Sequence, residues 1–183
     1  MITFVVATIG RETLARTLAS IEAWPTDEIV VVGDVAAAAR CRWGGHWGSH
    51  VRCIGVPRGP GHDWGGTERN VGMLKAPGRY LAFMDDDDSY APLARKSIQD
   101  GINSASGRPL MFRMRRPDGS VLWSDLVMRE GNVGTPMIVV PNDRARIGRW
   151  SGRRECDFDF ASSCRWSPSE WVWCPQVIAN VGR

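Results

Sequence analysis

The amino-acid sequence predicts an α/β protein with a mostly parallel central sheet covered by helices. Through the first hundred residues, short apolar runs of strand length alternate with helical patterns, which is the order of a parallel sheet with crossover helices. The chain has 183 residues, 43% of them hydrophobic and 23% charged. That length and composition are sufficient for one buried core, so we expect a single domain.

The first half contains the alternating elements in order. Ile2 begins an apolar, β-branched run, and Leu14, Leu18 and Ile21 then recur at the three- and four-residue spacing of a helix that Pro25 ends. Runs of the same kinds predict strands over 2–7, 28–32, 51–56 and 80–84, and helices over 67–75 and 91–103. Residues 35–50 are rich in Ala and Gly, and no regular element is predicted there.

The second half has a different pattern. Its apolar runs predict strands over 110–115, 121–126, 137–140 and 171–178, a turn at 117–119, and short helices over 142–148 and 155–163. No linker or internal repeat separates the halves. We therefore expect one domain over 1–183, in which 1–104 and 105–183 share one sheet, with no further module or membrane anchor.

Composition and charge argue against several classes of protein. The formal net charge is only +3, and neither half has the basic stripe of a nucleic-acid-binding protein. Five cysteines without a C-x-x-C spacing predict no disulfide framework and favour a reducing compartment, so we expect a cytoplasmic protein. No leader sequence is evident, and no apolar run approaches the roughly 18 residues of a membrane span.

Polar residues follow three of the predicted strands, where a parallel sheet places its ligands. Thr8 follows the first strand, Asp34 the second, and the run Asp85–Asp88 the fourth. Residues two apart in an extended segment point the same way, so Asp85 pairs with Asp87 and Asp86 with Asp88. Such carboxylates suit Mg²⁺ or Mn²⁺. The alternative is a solvated turn that caps a helix.

Six segments in this order resemble the pattern of one enzyme family. They include Arg69-Asn70-x-Gly72 and the strand that ends in Asp85-x-Asp87, and they lie over 4–11, 28–34, 68–72, 78–88, 134–150 and 154–160. Over about 2–178 the sequence resembles the glycosyltransferases of family 2, which are inverting enzymes with the GT-A fold. The resemblance implies a Rossmann-like three-layer α/β/α sandwich with a small acceptor-side extension.

The resemblance also implies a role for each matched residue. The donor would be a nucleotide-diphosphate sugar, Mn²⁺ or Mg²⁺ would be the cofactor, and the acceptor would be a hydroxyl of a glycan, a lipid-linked molecule or a small molecule. The implied nucleotide-sugar-binding residues are Thr8, Arg11, Asp34, Arg69, Asp85 and Asp86, of which Arg69 would approach the diphosphate; Asp85 and Asp87 would hold the metal. Gly33 departs from the family pattern, which has an acidic residue there.

Asp157 is the general base that the resemblance implies. Cys156 stands where the family has Glu, and sliding the alignment by one residue would instead make Glu155 or Asp159 the base. This departure, together with the short acceptor region, motivates an alternative function: a nucleotide-sugar or glycan-binding module that has lost transfer. With so little chain on the acceptor side, a second copy of the chain or another protein is a candidate for completing the acceptor site.

Four residues of zinc-ligand type form a separate candidate site. Cys41, His46, His50 and Cys53 lie within thirteen positions, and Cys and His are the usual ligands of structural zinc. Their spacing matches no established zinc pattern, so the alternative is that they are ordinary loop residues.

Overall fold

A computed structural model describes residues 1–43, 50–57 and 63–182. Nine strands lie in these ranges: β1 Ile2–Thr8, β2 Glu28–Asp34, β3 Val51–Val56, β4 Tyr80–Asp85, β5 Ser89–Tyr90, β6 Leu110–Arg115, β7 Val121–Leu122, β8 Ile138–Pro141 and β9 Val172–Asn180. Five α-helices accompany them: α1 Leu14–Ser20, α2 Val35–Trp43, α3 Gly66–Lys75, α4 Ala94–Ala105 and α5 Cys156–Ser163. Two short 3₁₀ turns, Thr135–Met137 and Pro168–Glu170, precede β8 and β9.

All nine strands belong to one sheet, in the order β3-β2-β1-β4-β8-β6-β9-β5, with β7 paired to β6. The strands β3, β2, β1 and β4 are mutually parallel. The strand β8 runs antiparallel to β4 and to β6, and β9 is parallel to β6. The second half of the chain therefore extends the sheet of the first half, as the sequence predicts.

Helices cover both faces of this sheet, because the central strands are apolar on both sides. All seven residues of β1 are buried. On one face, Gly72 of α3 lies against Val5, and Phe160 of α5 contacts Phe83 at 5.3 Å between ring centroids. On the opposite face lie α2, packed against Gly33 of β2, and α4, packed against β6. The result is the predicted three-layer α/β/α sandwich.

Three local predictions are wrong for identifiable reasons. A helix, α2, occupies 35–43, where the Asp34 carboxylate accepts a hydrogen bond from the Ala37 amide at 2.7 Å and so caps the first turn. Residues 142–148 form turns, with the Asp143 carboxylate accepting from the Ala145 amide at 3.0 Å. The strand predicted over 121–126 ends at Leu122, because the buried Asn132 side chain bonds to the backbone of residues 124–127 and holds them in a loop.

A disulfide joins Cys41 of α2 to Cys53 of β3, with 6.4 Å between their Cα atoms. The cysteine count did not predict this bond. Sulfur atoms bonded to each other are not available as zinc thiolates, so the four-residue zinc interpretation is not supported; His46 lies outside the described residues. Within the described ranges, no helix combines the length and apolar composition needed to cross a bilayer.

Candidate active site

The predicted polar residues meet at the carboxyl ends of β1, β2 and β4, as expected for a parallel sheet. Ala7 of β1 is the register partner of Asp85 at the end of β4, and Thr8 is the partner of Gly33, one residue before Asp34. The three strand ends therefore lie side by side, and the Asp85–Asp88 run lies beside the loop that follows β1.

The four aspartates alternate between two environments. The side chains of Asp85 and Asp87 are 34% and 33% exposed, whereas that of Asp86 is 2% exposed. Asp88 is buried as well. Exposure therefore alternates as predicted and divides the run into an outward pair and an inward pair. The run is not extended, however: β4 ends at Asp85, and the Asp88 amide donates to the Asp85 carbonyl at 3.2 Å across a turn.

The buried Asp86 carboxylate holds the loop that follows β1 through several hydrogen bonds. Its carboxylate accepts hydrogen bonds from the Thr8 hydroxyl at 2.7 Å, from the Ile9 amide at 3.0 Å and from the Arg11 amide at 3.3 Å. It also forms an ion pair with the Arg11 guanidinium. Thr8 and Arg11 thus lie where the nucleotide-binding loop is expected, with polar groups of both held by Asp86.

Arg69, on α3, points into the protein. Its side chain is 3% exposed and forms an ion pair with Asp85, and it donates a hydrogen bond to the Trp64 carbonyl at 2.8 Å. The guanidinium lies 4.6 Å from the centre of the Trp150 ring, a cation–π contact. This orientation places the Arg69 guanidinium in direct contact with the Asp85 carboxylate.

Asp157 begins α5, on the chain's second half, and reaches the same cluster of charges. Its carboxylate accepts a hydrogen bond from the Thr135 hydroxyl at 2.5 Å. Burial raises the pKa of Asp157 to about 6, against the lowering effects of Arg69 and the Thr135 hydrogen bond, and the nearby Asp85 charge adds to the rise. Asp157 is therefore close enough to both Arg69 and Asp85 to interact electrostatically with each.

Asp157 also lines a cavity of about 360 Å³. The other lining residues are Glu130, Gly131, Val133, Arg154, Glu155 and Phe158. A cavity of this volume is within the size range of small-molecule sites. Asp157 therefore lines a space of ligand size and also interacts with Asp85, although no residue of the aspartate run lines that space.

The two alternative bases are engaged differently. The Asp159 carboxylate accepts a hydrogen bond from the Ser151 hydroxyl at 2.6 Å, and Glu155 lies 3.6 Å from the Arg153 guanidinium at the surface. Cys156 is buried, and burial, aided by the Asp157 charge, raises the pKa of its thiol to about 12. The thiol therefore contributes no charge to the site near neutral pH.

Two further residues belong to this site: Asp88, which the sequence places in the aspartate run without a role of its own, and Thr135, which the sequence reasoning did not single out. Asp88 is buried, and burial, together with the Asp85 charge, raises its pKa to about 7. Thr135 holds Asp157 from the turn before β8. Thr135 lies inside the 134–150 segment that matches the family pattern, and this match is the sequence signal that could have identified it. No local signal identifies the environment of Asp88, because its carboxylate bonds to Gly182, 94 residues away.

The outward pair, Asp85 and Asp87, is the group that could hold a divalent cation. In the described part of the chain, no three His, Cys, Asp or Glu side chains converge closely enough to form a complete metal site. Two carboxylates nevertheless suit Mg²⁺ or Mn²⁺, which often take only one or two protein ligands and complete their shells with phosphate oxygens and water. The residues therefore fit a cation that binds together with a phosphate-bearing ligand.

The sheet order and its helical layers define a GT-A-like glycosyltransferase fold. The chain is similar to S. aureus TarS, with a TM-score of 0.73 and 14% sequence identity over 100% of this chain and 36% of that one. It is also similar to TarS 1-349 in complex with UDP-GlcNAc, with a TM-score of 0.74 and 14% identity over 100% of this chain and 58% of that one. For TarS 1-349 in complex with UDP, the TM-score is 0.66 at 14% identity, over 98% of this chain and 60% of that one.

The chain thus spans between 36% and 60% of the length of these structures. No family profile matches the sequence, and no curated protein matches it. At 14% identity, the likeness establishes the fold.

Proposed function

We propose that the protein is an inverting glycosyltransferase of the family 2 type, which transfers a sugar from a nucleotide-diphosphate donor to a hydroxyl acceptor. The observation that carries this proposal is the position of Asp157, which interacts with Asp85 and Arg69 and also lines a cavity of ligand size. The complexes of TarS 1-349 with UDP-GlcNAc and UDP support a UDP-sugar as the donor.

The donor would bind over the carboxyl ends of β1, β2 and β4. The loop that Asp86 holds would contact the nucleotide, and Asp34, at the end of β2, would contact its base or ribose. Asp85 would contact the ribose or the metal. The Arg69 side chain is only 3% exposed, so we propose no direct contact between it and the diphosphate.

Asp85 and Asp87 would hold Mn²⁺ or Mg²⁺ together with the phosphates of the donor. The bound cation would offset the negative charge that develops on the departing nucleotide diphosphate. Because the two carboxylates alone do not complete its coordination, we expect the cation and the nucleotide to bind together.

Asp157 would take the proton from the acceptor hydroxyl as that oxygen attacks the anomeric carbon. Thr135 fixes the carboxylate, and with a pKa of about 6 Asp157 is mostly ionised at neutral pH yet basic enough to receive a proton. The bond from the anomeric carbon to the diphosphate breaks on the opposite side, and the single displacement inverts the anomeric centre.

The test compares D157N with D159N, two substitutions on the same helix. Nucleotide release from UDP-GlcNAc is measured with Mn²⁺ and a panel of sugar and polyol acceptors, and UDP binding is measured by calorimetry. We expect D157N to lose transfer by roughly a hundredfold or more while it still binds UDP, because general-base groups contribute about that factor. D159N, whose carboxylate contacts Ser151, should retain transfer.

Transfer by D157N at the wild-type rate would show that the base is misassigned. If UDP affinity is unchanged after a chelator is added, the proposed metal dependence of donor binding is wrong. Tight, metal-dependent UDP binding by the wild type without sugar release to any acceptor would instead favour the nucleotide-sugar-binding module.

A further inference from the structure

Among the described residues, two buried arginines each pair with an aspartate and stack on a tryptophan. In the first, Arg95 pairs with Asp27 and lies 3.9 Å from the centre of the Trp24 ring. Its Nε donates to one carboxylate oxygen at 2.5 Å, one terminal nitrogen donates to the other oxygen at 3.1 Å, and the remaining nitrogen donates to Gln99 at 3.2 Å. Asp27 is itself fully buried, so this pair is closed and structural.

Arg69 has the same kinds of partner, but its hydrogen bonds are incomplete and its aspartate is exposed to solvent. It also pairs with an aspartate and stacks on a tryptophan, Trp150. Its Nε, however, has no hydrogen-bond partner among the described residues, and its partner Asp85 is 34% exposed. An incompletely satisfied buried guanidinium costs stability, and this cost distinguishes Arg69 from the fully bonded Arg95.

Asp157 supplies the second negative charge around this guanidinium. Asp85 comes from the end of β4 and Asp157 from the start of α5, and both interact with Arg69. One terminal nitrogen of Arg69 is also 3.9 Å from the Cys156 sulfur, next to Asp157 along the helix. The same sulfur is 3.9 Å from Oδ1 of Asp157, so one terminal nitrogen of the guanidinium pairs with Asp85 and the other contacts the neighbour of Asp157.

We propose that Arg69 is a positioning residue which, without touching either substrate, joins the donor-side Asp85 to the acceptor-side Asp157. The inference rests on the proposed function, which makes Asp85 a donor-side residue and Asp157 the base on the acceptor side. One buried cation fixes the Asp85 carboxylate and also offsets the repulsion between Asp85 and Asp157. The charge of Asp157 therefore depends on a side chain that belongs to the donor half of the site.

Removing this cation would leave several acidic groups facing one another. Asp157 interacts with Asp85, Asp88 and the Cys156 thiol. The charged residues that share its cavity are Glu130, Arg154 and Glu155. Of the two nearby arginines, Arg69 is buried within the cluster whereas Arg154 is exposed at the cavity, so solvent screens the Arg154 charge more strongly.

The test compares R69M with R95M, because both remove a buried, aspartate-paired guanidinium that stacks on tryptophan. Carboxyl ¹³C NMR follows the titration of Asp157, with the resonance assigned by its absence in D157N. We expect the pKa of Asp157 to rise by about one unit or more in R69M, so that transfer at pH 6 falls about fivefold or more further than transfer at pH 8.5. UDP binding with Mn²⁺ should be weaker in R69M than in R95M.

An equal loss of transfer at both pH values with an unchanged titration would overturn the proposal, as would the same titration shift in R95M. If a methionine variant does not fold, R69K and R95K replace the pair, since lysine keeps the charge but lacks the guanidinium fork. R69K should then raise the pKa of Asp157 more than R95K does, and equal shifts in the two variants would overturn the proposal. If the wild type consumes no donor, the proposed function fails, and the NMR titration still tests the link.

Discussion

Asp86 lies beneath the loop that follows β1, and its carboxylate is almost fully enclosed by donors. The hydroxyl of Thr8, the amides of Ile9 and Arg11 and the Arg11 guanidinium all donate to it. A buried carboxylate with this many partners is held tightly, and removing its charge leaves several donors facing a weaker acceptor. Asp86 therefore shapes the surface on which a donor would rest.

We predict that D86N lowers the free energy of unfolding by about 3 kcal/mol, the usual cost of breaking a buried charged network. The matched control is D87N, whose carboxylate is one-third exposed and 3.4 Å from Arg11, and its effect should stay below about 1 kcal/mol. Urea unfolding in the presence of a chelator measures both. Equal losses for the two variants would contradict the distinction between the inward and outward aspartates.

The sequence alone predicts the pairing of the aspartates but not which pair faces inward. Alternation in an extended segment would put Asp86 and Asp88 on one side, but the strand ends at Asp85 and the two are buried against different partners, the loop after β1 and Gly182. The side that becomes buried is decided by residues that are distant in sequence, such as Thr8, 78 positions away from Asp86. A pattern read along one strand contains no information about those partners.

At the scale of elements, α3 positions Arg69 because Gly72 lets the helix lie directly on β1. A Cβ atom at Gly72 would overlap Cγ1 of Val5, a fully buried residue at the centre of the sheet. The close approach fixes the height of α3 above the strand ends. The ion pair between Arg69 and Asp85 depends on that height.

We predict that G72A destabilises the protein by about 1–2 kcal/mol. Overpacking a well-filled core costs about 1–3 kcal/mol, which outweighs the gain of up to about 1 kcal/mol in helix propensity. The control is G152A, whose Cβ would make ordinary contact with Asp63 at 3.4 Å, and it should change stability by less than about 0.5 kcal/mol. A stabilised G72A in thermal unfolding would show that α3 can shift without cost.

The elements that the sequence predicts well are those whose periodicity comes from burial. The strands β1 to β4 and the helices α3 and α4 have such patterns and are confirmed with small changes at their ends. The helix α2 was missed because its Ala-rich sequence has almost no apolar periodicity, and its start depends on the Asp34 cap. The two-residue strand β5 exists only because β9 pairs with it.

At the scale of the whole molecule, the last strand returns the chain to the aspartate run. The strand β9 pairs with β6 and β5, and beyond it the Gly182 amide donates to the Asp88 carboxylate at 2.8 Å. The Thr17 hydroxyl donates to the backbone carbonyl of Asp88. One buried residue thus links the early helix α1, the aspartate run and the end of the described chain.

Asp88 should make stability depend on pH. Because burial raises its pKa to about 7, the folded state binds a proton more tightly than the unfolded state, so this contribution to stability is lost as the pH rises from about 4 to about 7. D88N carries no such proton. We predict that it gains stability relative to the wild type across this window, by up to about 4 kcal/mol at pH 8.

Urea unfolding of D88N and the wild type at several pH values, with a chelator present, measures this difference. D125N, which removes a surface carboxylate that is 48% exposed, should show no comparable trend. A difference between D88N and the wild type that stays constant from pH 4 to pH 8 would show that Asp88 is ionised throughout.

The assembly of the site from two halves of the chain was also beyond the reach of local patterns. The order of motifs identified the strand-end aspartates and Asp157 as candidates, and the fold brings them around Arg69. The charges of Asp85, Asp157 and Arg69 depend on how deeply each side chain is buried, and burial is determined by segments that are distant in sequence. Cys156, the departure from the family pattern, is buried beside Arg69 and adds no charge there.

The position of Gly182 has a practical consequence for protein engineering. A Cβ at this residue would overlap the Asp87 carbonyl, so the chain passes directly over the aspartate run. Any sequence that follows Gly182 therefore leaves the described fold beside the aspartate run. A polyhistidine tag in that place could bring its own metal ligands to Asp85 and Asp87, so affinity tags belong at the opposite terminus.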